Sequence, residues 1–337
     1  MVTRGATSGV IEPEVVGDPG SDEFVAHADQ ASRLRSLMGR SHGADDPRPR
    51  PEQRAMPSGV RPRVGRAPAT RLAPVIAIAS GKGGVGKTNL AVNLAICMER
   101  AGQGVLLVDA DLGQPNADVL LGLPTGVRPS LPGAGGPPRA VLERSTLEFG
   151  GVAPRARLLV ATPSDREPGA ARSDLILRAV QAIRTLREAV DLVVVDAAAG
   201  VGIDVLTLLP GATLSLIVVT PEPTSITDAY ALIKCLSRGP GGGDGRSQLA
   251  LVVNQASCRA EAERVAQRLR ATTRRFLSLD VPLAAWIPTD PRVPEAVRAR
   301  RPLCAAWPGA PSARAVARLA SSLRGVPTPS GPAFSDA

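Results

Sequence analysis

The chain has 337 residues, a formal net charge of +9 and only 2% aromatic residues, which allows one large domain or two small ones and argues against stacking platforms for single-stranded nucleic acid. A basic balance ordinarily raises DNA as a partner, but seven arginines against one glutamate between Pro47 and Arg71 place most of the excess in one stretch, and the rest is near neutral. No secretory h-region follows Met1 and no apolar run reaches the length of a membrane span, so a cytoplasmic chain is expected.

Residues 1–73 show no strand pattern and are rich in Gly, Pro, Asp, Ser and Arg; from Ser41 to Ala73 they read as a disordered Pro/Arg-rich tether. One island interrupts them. Over 29–38 the spacing predicts a short helix, with Asp29 able to cap it, Gly39 able to end it, and Ala31, Leu34, Leu37 and Met38 on one face. Isolated helices shorter than about 12–15 residues are marginal in water. The island therefore either docks on its own domain or folds onto a partner.

The main domain is expected at 74–324. Its first strand, Pro74 to Ala79, runs into Ser80-Gly81-Lys82-Gly83-Gly84-Val85-Gly86-Lys87-Thr88, and a helix follows over Asn89–Arg100. Strand, glycine loop and helix N-terminus make a polyphosphate site, because backbone N–H groups converge on it and the helix dipole favours negative charge. Glycines permit close approach of phosphate to backbone. In G-x-x-x-x-G-K-[ST], Lys87 would reach the β- and γ-phosphates and Thr88 would ligate Mg²⁺. The chain has three lysines (Lys82, Lys87, Lys234) against 37 arginines, so two lysines in one nine-residue loop point to a need for compact ammonium groups.

A buried strand, Gly104 to Val108, delivers Asp109 and Asp111 to the same end of the sheet, where a Mg²⁺ and a water must be held; a strand-end cap is the alternative for each. Residues 123–156 are Pro/Gly-rich and read as surface loop. A strand at 157–161 and a helix at 173–190 follow, then Asp191–Asp196, an apolar strand ending in a carboxylate placed to bind Mg²⁺ through water.

The strand Thr213–Val219 precedes a helix capped by Thr224 or Ser225, and Gly239–Gly245 reads as a flexible loop. The strand Gln248–Val253 ends at Asn254, whose amide suits the edge of adenine or a turn. A helix (259–277), a strand (281–287) and a short helix near Val293 lead to the last helix, Ser312–Arg324, which would close the core or lie on a membrane; residues 325–337 are read as a disordered tail. The four cysteines (Cys97, Cys235, Cys258, Cys304) are far apart without a C-x-x-C, and both histidines precede residue 43. Zinc and iron–sulfur ligation are disfavoured, and the cysteines read as small buried hydrophobes.

The K-G-G-x-G-K-T loop resembles the deviant Walker A loop of the MinD/ParA ATPases. The resemblance implies a doubly wound, mostly parallel α/β fold that binds ATP through Gly81, Lys82, Gly83, Gly84, Val85, Gly86, Lys87, Thr88 and Asn89. It also implies an ATP-dependent homodimer in which Lys82 reaches the partner's nucleotide and acts catalytically with Lys87. Asp111 is similar to the family's aspartate that orients attacking water, with Asp109 nearer the metal held by Thr88 and Asp196. The matching asparagine, Asn254, would read adenine beside Pro288 and Asp290, in a loop similar to I-P-x-D. Glu222 and Asp228 would lie on the dimer face, or are ordinary solvated helix charges. Ala197-Ala198-Ala199-Gly200 lacks a hydroxyl the family often has there, which implies slow hydrolysis.

Asp29-Gln30-Ala31-Ser32-Arg33-Leu34-Arg35 and the segment 220–234 resemble the flagellar branch of that family, FlhG (FleN, YlxH). This narrower resemblance implies a Mg²⁺-dependent ATPase controlling flagellar number or placement. Asp29, Gln30, Leu34 and Arg35 would stimulate FlhF, an SRP-type GTPase, with Gln30 presented to its nucleotide. Switch-complex (C-ring) proteins are further implied partners, with recruitment to the flagellar pole or a membrane surface. Such proteins usually carry a separate amphipathic membrane helix after the core helix; none is legible here, which favours a core role for 312–324 and leaves membrane binding open. The alternatives are a ParA-like partition ATPase binding DNA nonspecifically, supported only by the basic tether, and a MinD-like division-site regulator.

Overall fold

Apolar runs that end in Ser, Asp or Asn become the strands of one sheet. A computed structural model describes residues 72–124, 131, 136–161, 171–238 and 247–326. The helix expected at 29–38 with Asp29, Gln30, Leu34 and Arg35, the tether up to residue 71, the loop at 239–245 and the chain beyond 326 lie outside the described residues. In chain order the elements are β1 (Val75–Ser80), α1 (Lys87–Arg100), β2 (Val105–Ala110), α2 (Ala117–Leu120), α3 (Pro138–Ser145), β3 (Leu147–Glu148), β4 (Ala156–Val160), α4 (Arg172–Leu186) and β5 (Leu192–Ala199). There follow α5 (Ile203–Leu208), β6 (Leu214–Val219), α6 (Pro223–Arg238), β7 (Gln248–Ala256), α7 (Arg259–Leu277), β8 (Leu283–Pro288), α8 (Arg292–Arg298), α9 (Leu303–Ala306) and α10 (Pro311–Leu323).

The sheet order is β3-β4-β2-β5-β1-β6-β7-β8. Only β3 runs antiparallel to its neighbour β4; the other pairings are parallel. Strands covered on both faces need apolar side chains at every position, which is why the runs do not alternate. In β1, Val75, Ala77 and Ala79 join Ile183, Leu232 and Leu269 of α4, α6 and α7 on one face. Ile76 and Ile78 join Leu94 and Leu319 of α1 and α10 on the other. The doubly wound fold expected from the sequence is present, and α10 packs as a core helix.

Residues 123–156 are not merely surface loop: Pro138 starts α3, a register favoured by its fixed φ and missing N–H, and Val141, Leu142 and Phe149 are buried. The Pro/Gly content hid a helix with too few apolar residues to show a period. The helix caps also differ from expectation: Ser225 lies inside α6, where its hydroxyl accepts the Thr220 N–H at 3.0 Å.

From β1 the chain crosses to β2 on one side of it and later to β6 on the other. The C-terminal ends of β1, β2, β5 and β6 therefore border the crevice where doubly wound sheets bind ligands.

Candidate nucleotide site

The glycine loop between β1 and α1 is shaped by two close approaches. A Cβ on Gly81 would lie 2.1 Å from the Asp228 carbonyl, so the loop packs backbone to backbone on α6. Gly86 caps α1 at φ 90°, in the left-handed region, and a Cβ there would meet Asn254 Nδ2 at 2.6 Å. Asn254, at the end of β7, donates from that nitrogen to the Val85 carbonyl at 2.8 Å and so clasps the loop from below. Its amide holds the P-loop here, a contact across 169 positions that neither adenine recognition nor a turn calls for.

Lys87 and Thr88 open α1, and Lys87 is 8% exposed and within electrostatic reach of Asp196 and Asp111. Burial pulls its ammonium below the ordinary lysine range, and the nearby charges of Asp196 and Asp111 oppose that shift. Asp196, within β5, is 1% exposed, and among the described residues neither carboxylate oxygen meets a donor in hydrogen-bond geometry. Burial and then the charge of Asp109, its register partner on β2, push its carboxyl up to about 8; the Thr88 hydroxyl and Lys87 offset this only in part. A buried, partnerless carboxylate beside a hydroxyl and a second carboxylate fits a divalent cation, which would relieve the repulsion.

Asp109 is also buried, but its oxygens are occupied. Oδ2 accepts the N–H groups of Asn116 and Ala117 at 2.9 Å each, and Oδ1 accepts that of Asp111 at 3.2 Å. The carboxylate ties down the loop into α2, the strand-end cap, and burial still raises its carboxyl to about 6 against those bonds. Asp111 accepts the N–H groups of Gly113 and Gln114 through Oδ1, both at 3.1 Å, and sits within electrostatic reach of Lys87 and Asp196.

Lys82 stands at the rim. Its ammonium contacts Glu222 Oε2 at 2.8 Å and Thr224 Oγ1 at 3.1 Å, both at the start of α6 in the same chain. Thr224 was not foreseen as its partner. Asp228 lies one turn along the same helix, half-buried against Gly81.

At the end of β8, Pro288 accepts the Ser312 hydroxyl at 2.9 Å. Asp290 accepts the N–H groups of Arg292 at 2.9 Å and Ser312 at 3.0 Å. Burial works against its charge, but the N–H groups of Ser312 and Arg292 hold its carboxyl below the usual range. The loop sits beside the end of β7, because Thr289 donates to the carbonyls of Ala256 and Gln255 at 3.0 Å each. The structure thus gathers Gly81, Gly83–Asn89, Asp109, Asp111 and Asp196 at one crevice. Lys82, Glu222 and Asp228 lie on its rim, and Pro288 and Asp290 near Asn254.

A model of the CobQ/CobB/MinD/ParA nucleotide binding domain matches residues 76–303, which contain every one of these groups. The chain belongs to the MinD/ParA family. Among its MinD/ParA relatives, the antiactivator FleN of Pseudomonas aeruginosa is 36% identical over 77% of this chain and 89% of its own. The flagellum site-determining protein YlxH of Helicobacter pylori is 33% identical over 58% of this chain and 62% of its own. The fold is shared with the septum site-determining protein MinD of Pyrococcus horikoshii, complexed with Mg-ADP, at a TM-score of 0.59 and 23% identity over 76% of this chain and 97% of that one.

Proposed function

We propose that this MinD/ParA protein is an ATP-switched, dimerising ATPase that controls flagellar number or placement and acts on an SRP-type GTPase through its N-terminal motif. The kinship to the flagellum site-determining protein YlxH supports the flagellar part, and that to the antiactivator FleN spans nine-tenths of that protein. The deviant loop, with Lys82 on the rim rather than in the crevice, carries the switch.

Each side chain has a role in this reading. Lys87 would bind the β- and γ-phosphates from the N-terminus of α1, where the helix dipole adds to its charge. Thr88 and Asp196 would hold Mg²⁺, with Asp109 fixing the adjoining loop. The Mg²⁺ so held would supply positive charge that offsets that of the phosphates. Asp111, near Lys87 and tethered by Gly113 and Gln114, would orient the attacking water. Asn254, with Pro288 and Asp290 beside it, would border the adenine. Lys82 would exchange its Glu222 contact for the partner's phosphates, and the exposure of both residues makes that exchange cheap. Glu222 and Asp228 would then face the second subunit.

The test uses the full chain with ATP and a purified FlhF-type GTPase. GTP hydrolysis is expected to accelerate on addition of the chain, and Gln30→Ala is expected to abolish the acceleration while leaving ATP-dependent dimerisation intact. An unchanged GTP hydrolysis rate with the wild-type chain would remove the flagellar partner assignment.

A further inference from the structure

Two cysteines that lie 207 positions apart in sequence meet in space. Cys97, near the end of α1, and Cys304, in α9, are neighbours on the wall of one cavity. Both line an open cavity of about 190 Å³ between α1, α9 and α10, whose walls also carry Arg100, Arg324 and Ser321. The Cys304 sulfur is further fixed by a long contact to the Ala313 carbonyl at 3.8 Å.

The meeting is held by α1 itself. The Cys304 N–H donates to Asn93 Oδ1 at 2.7 Å, and its carbonyl accepts Arg100 Nη1 at 2.6 Å. Asn93 is in turn anchored to the Asn89 carbonyl at 2.8 Å. Side chains one turn before and one turn after Cys97 thus clamp the Cys304 peptide on both its polar groups. Two thiols packed only as small apolar groups need neither the clamp nor a cation beside them. The contact from Cys304, opposed by burial but helped by the charge of Arg100, holds the Cys97 thiol below its ordinary range, whereas the same contact and burial push Cys304 up. Cys97 is half-buried and Cys304 buried, so the cavity gives a small oxidant access to Cys97 first. Nucleophilic thiols sit in such partly exposed, cationic surroundings.

We propose that Cys97 and Cys304 form a peroxide-reactive thiol pair that closes to a reversible disulfide. The Cys97 thiolate attacks one oxygen of a hydroperoxide; an S–O bond forms, the O–O bond breaks, and the leaving alkoxide or hydroxide takes a proton and departs as alcohol or water. Cys304 then gives up its proton and attacks the Cys97 sulfenic acid. The S–S bond forms, the S–O bond breaks, and the hydroxide leaves with that proton as water. The two sulfurs are oxidised by two electrons and the peroxide is reduced by two. The product covalently ties α1, whose first turn holds Lys87 and Thr88, to α9.

The experiment treats the full chain carrying Cys235→Ser and Cys258→Ser with hydrogen peroxide and maps non-reduced peptides by mass spectrometry. Both remaining thiols are expected to disappear together, a peptide joining Cys97 to Cys304 to appear with loss of two hydrogens, and dithiothreitol to restore both thiols. With Cys304→Ser, Cys97 is expected to stop at a sulfenic acid that dimedone captures, and Arg100→Gln is expected to slow its formation severalfold. Two thiols that survive peroxide in the folded protein, or separate sulfinic acids with no joined peptide, would overturn the proposal. That reading needs only the folded double-serine chain, so it stands if the further variants fail to fold.

Discussion

Asp196 is almost fully buried beside a second carboxylate, with only the Thr88 hydroxyl and the Lys87 charge to favour its ionised form, and the consequence is a pH dependence of known sign. Its carboxyl is raised to about 8 and that of Asp109 to about 6, both mainly by burial. Stability from the protonated forms is therefore complete in acid below the unfolded-state values. It is lost as pH rises, through about 6 for Asp109 and about 8 for Asp196. In ligand-free protein, Asp196→Asn is expected to flatten the fall of the thermal midpoint between the ordinary carboxylate range and about pH 8; the same slope in both proteins would contradict the assignment. Cation binding draws on the ionised carboxylate, so Mg²⁺-nucleotide affinity is expected to rise over the range where ligand-free stability falls. Titration calorimetry at several pH values checks this. Glu222 gives the second prediction at this scale. An exposed ion pair is worth about 0–1 kcal/mol and the dimer has one in each subunit, so releasing Lys82 by Glu222→Gln is expected to tighten the ATP-bound dimer by up to about thirtyfold in sedimentation experiments. A weaker dimer would mean that Glu222 serves mainly the partner subunit.

At the scale of elements, the P-loop and α6 form one unit. Gly81→Ala would push a methyl group into the Asp228 peptide, a contact that no side-chain rotation relieves. Overpacking of this kind costs about 1–3 kcal/mol or more, and both the thermal midpoint and nucleotide affinity are expected to drop together. The entry to β1 is held by Arg187, which is 1% exposed and donates to the Ala73 carbonyl from Nε at 3.0 Å and Nη2 at 2.7 Å. Arg187→Leu leaves that carbonyl short of its donors and is expected to cost about 2–4 kcal/mol in denaturant unfolding. The strands were legible because residues buried on both faces must be apolar throughout, and α7 because Ala262, Val265, Ala266 and Leu269 keep a helical period. The helix α3 was not, since a short helix begun by Pro137-Pro138 with two buried apolar residues has no period to read. The cluster of Lys87, Thr88, Asp111 and Asp196 could be anticipated from strand ends and a glycine loop. Contacts across the chain could not: Lys82 with Glu222, Asn254 with Val85 and Cys97 with Cys304 join residues more than a hundred positions apart, and spacing carries no signal for them.

For the whole molecule, the sheet presents its crevice and the Lys82 rim on one side, with α6 forming the border. Closure of two copies across that rim would place each Lys82 against the other's phosphates, and nucleotide hydrolysis would return it to Glu222. No helix among the described residues is long and apolar enough to cross a membrane. The measurement that bears most directly on this account is the mass of the full chain by light scattering with Mg²⁺ and a non-hydrolysable ATP analogue, for wild type and Lys82→Ala. Wild type is expected to dimerise with the analogue and not with ADP, while Lys82→Ala stays monomeric with either. A wild-type chain that remains monomeric, or a variant that dimerises equally well, would contradict it.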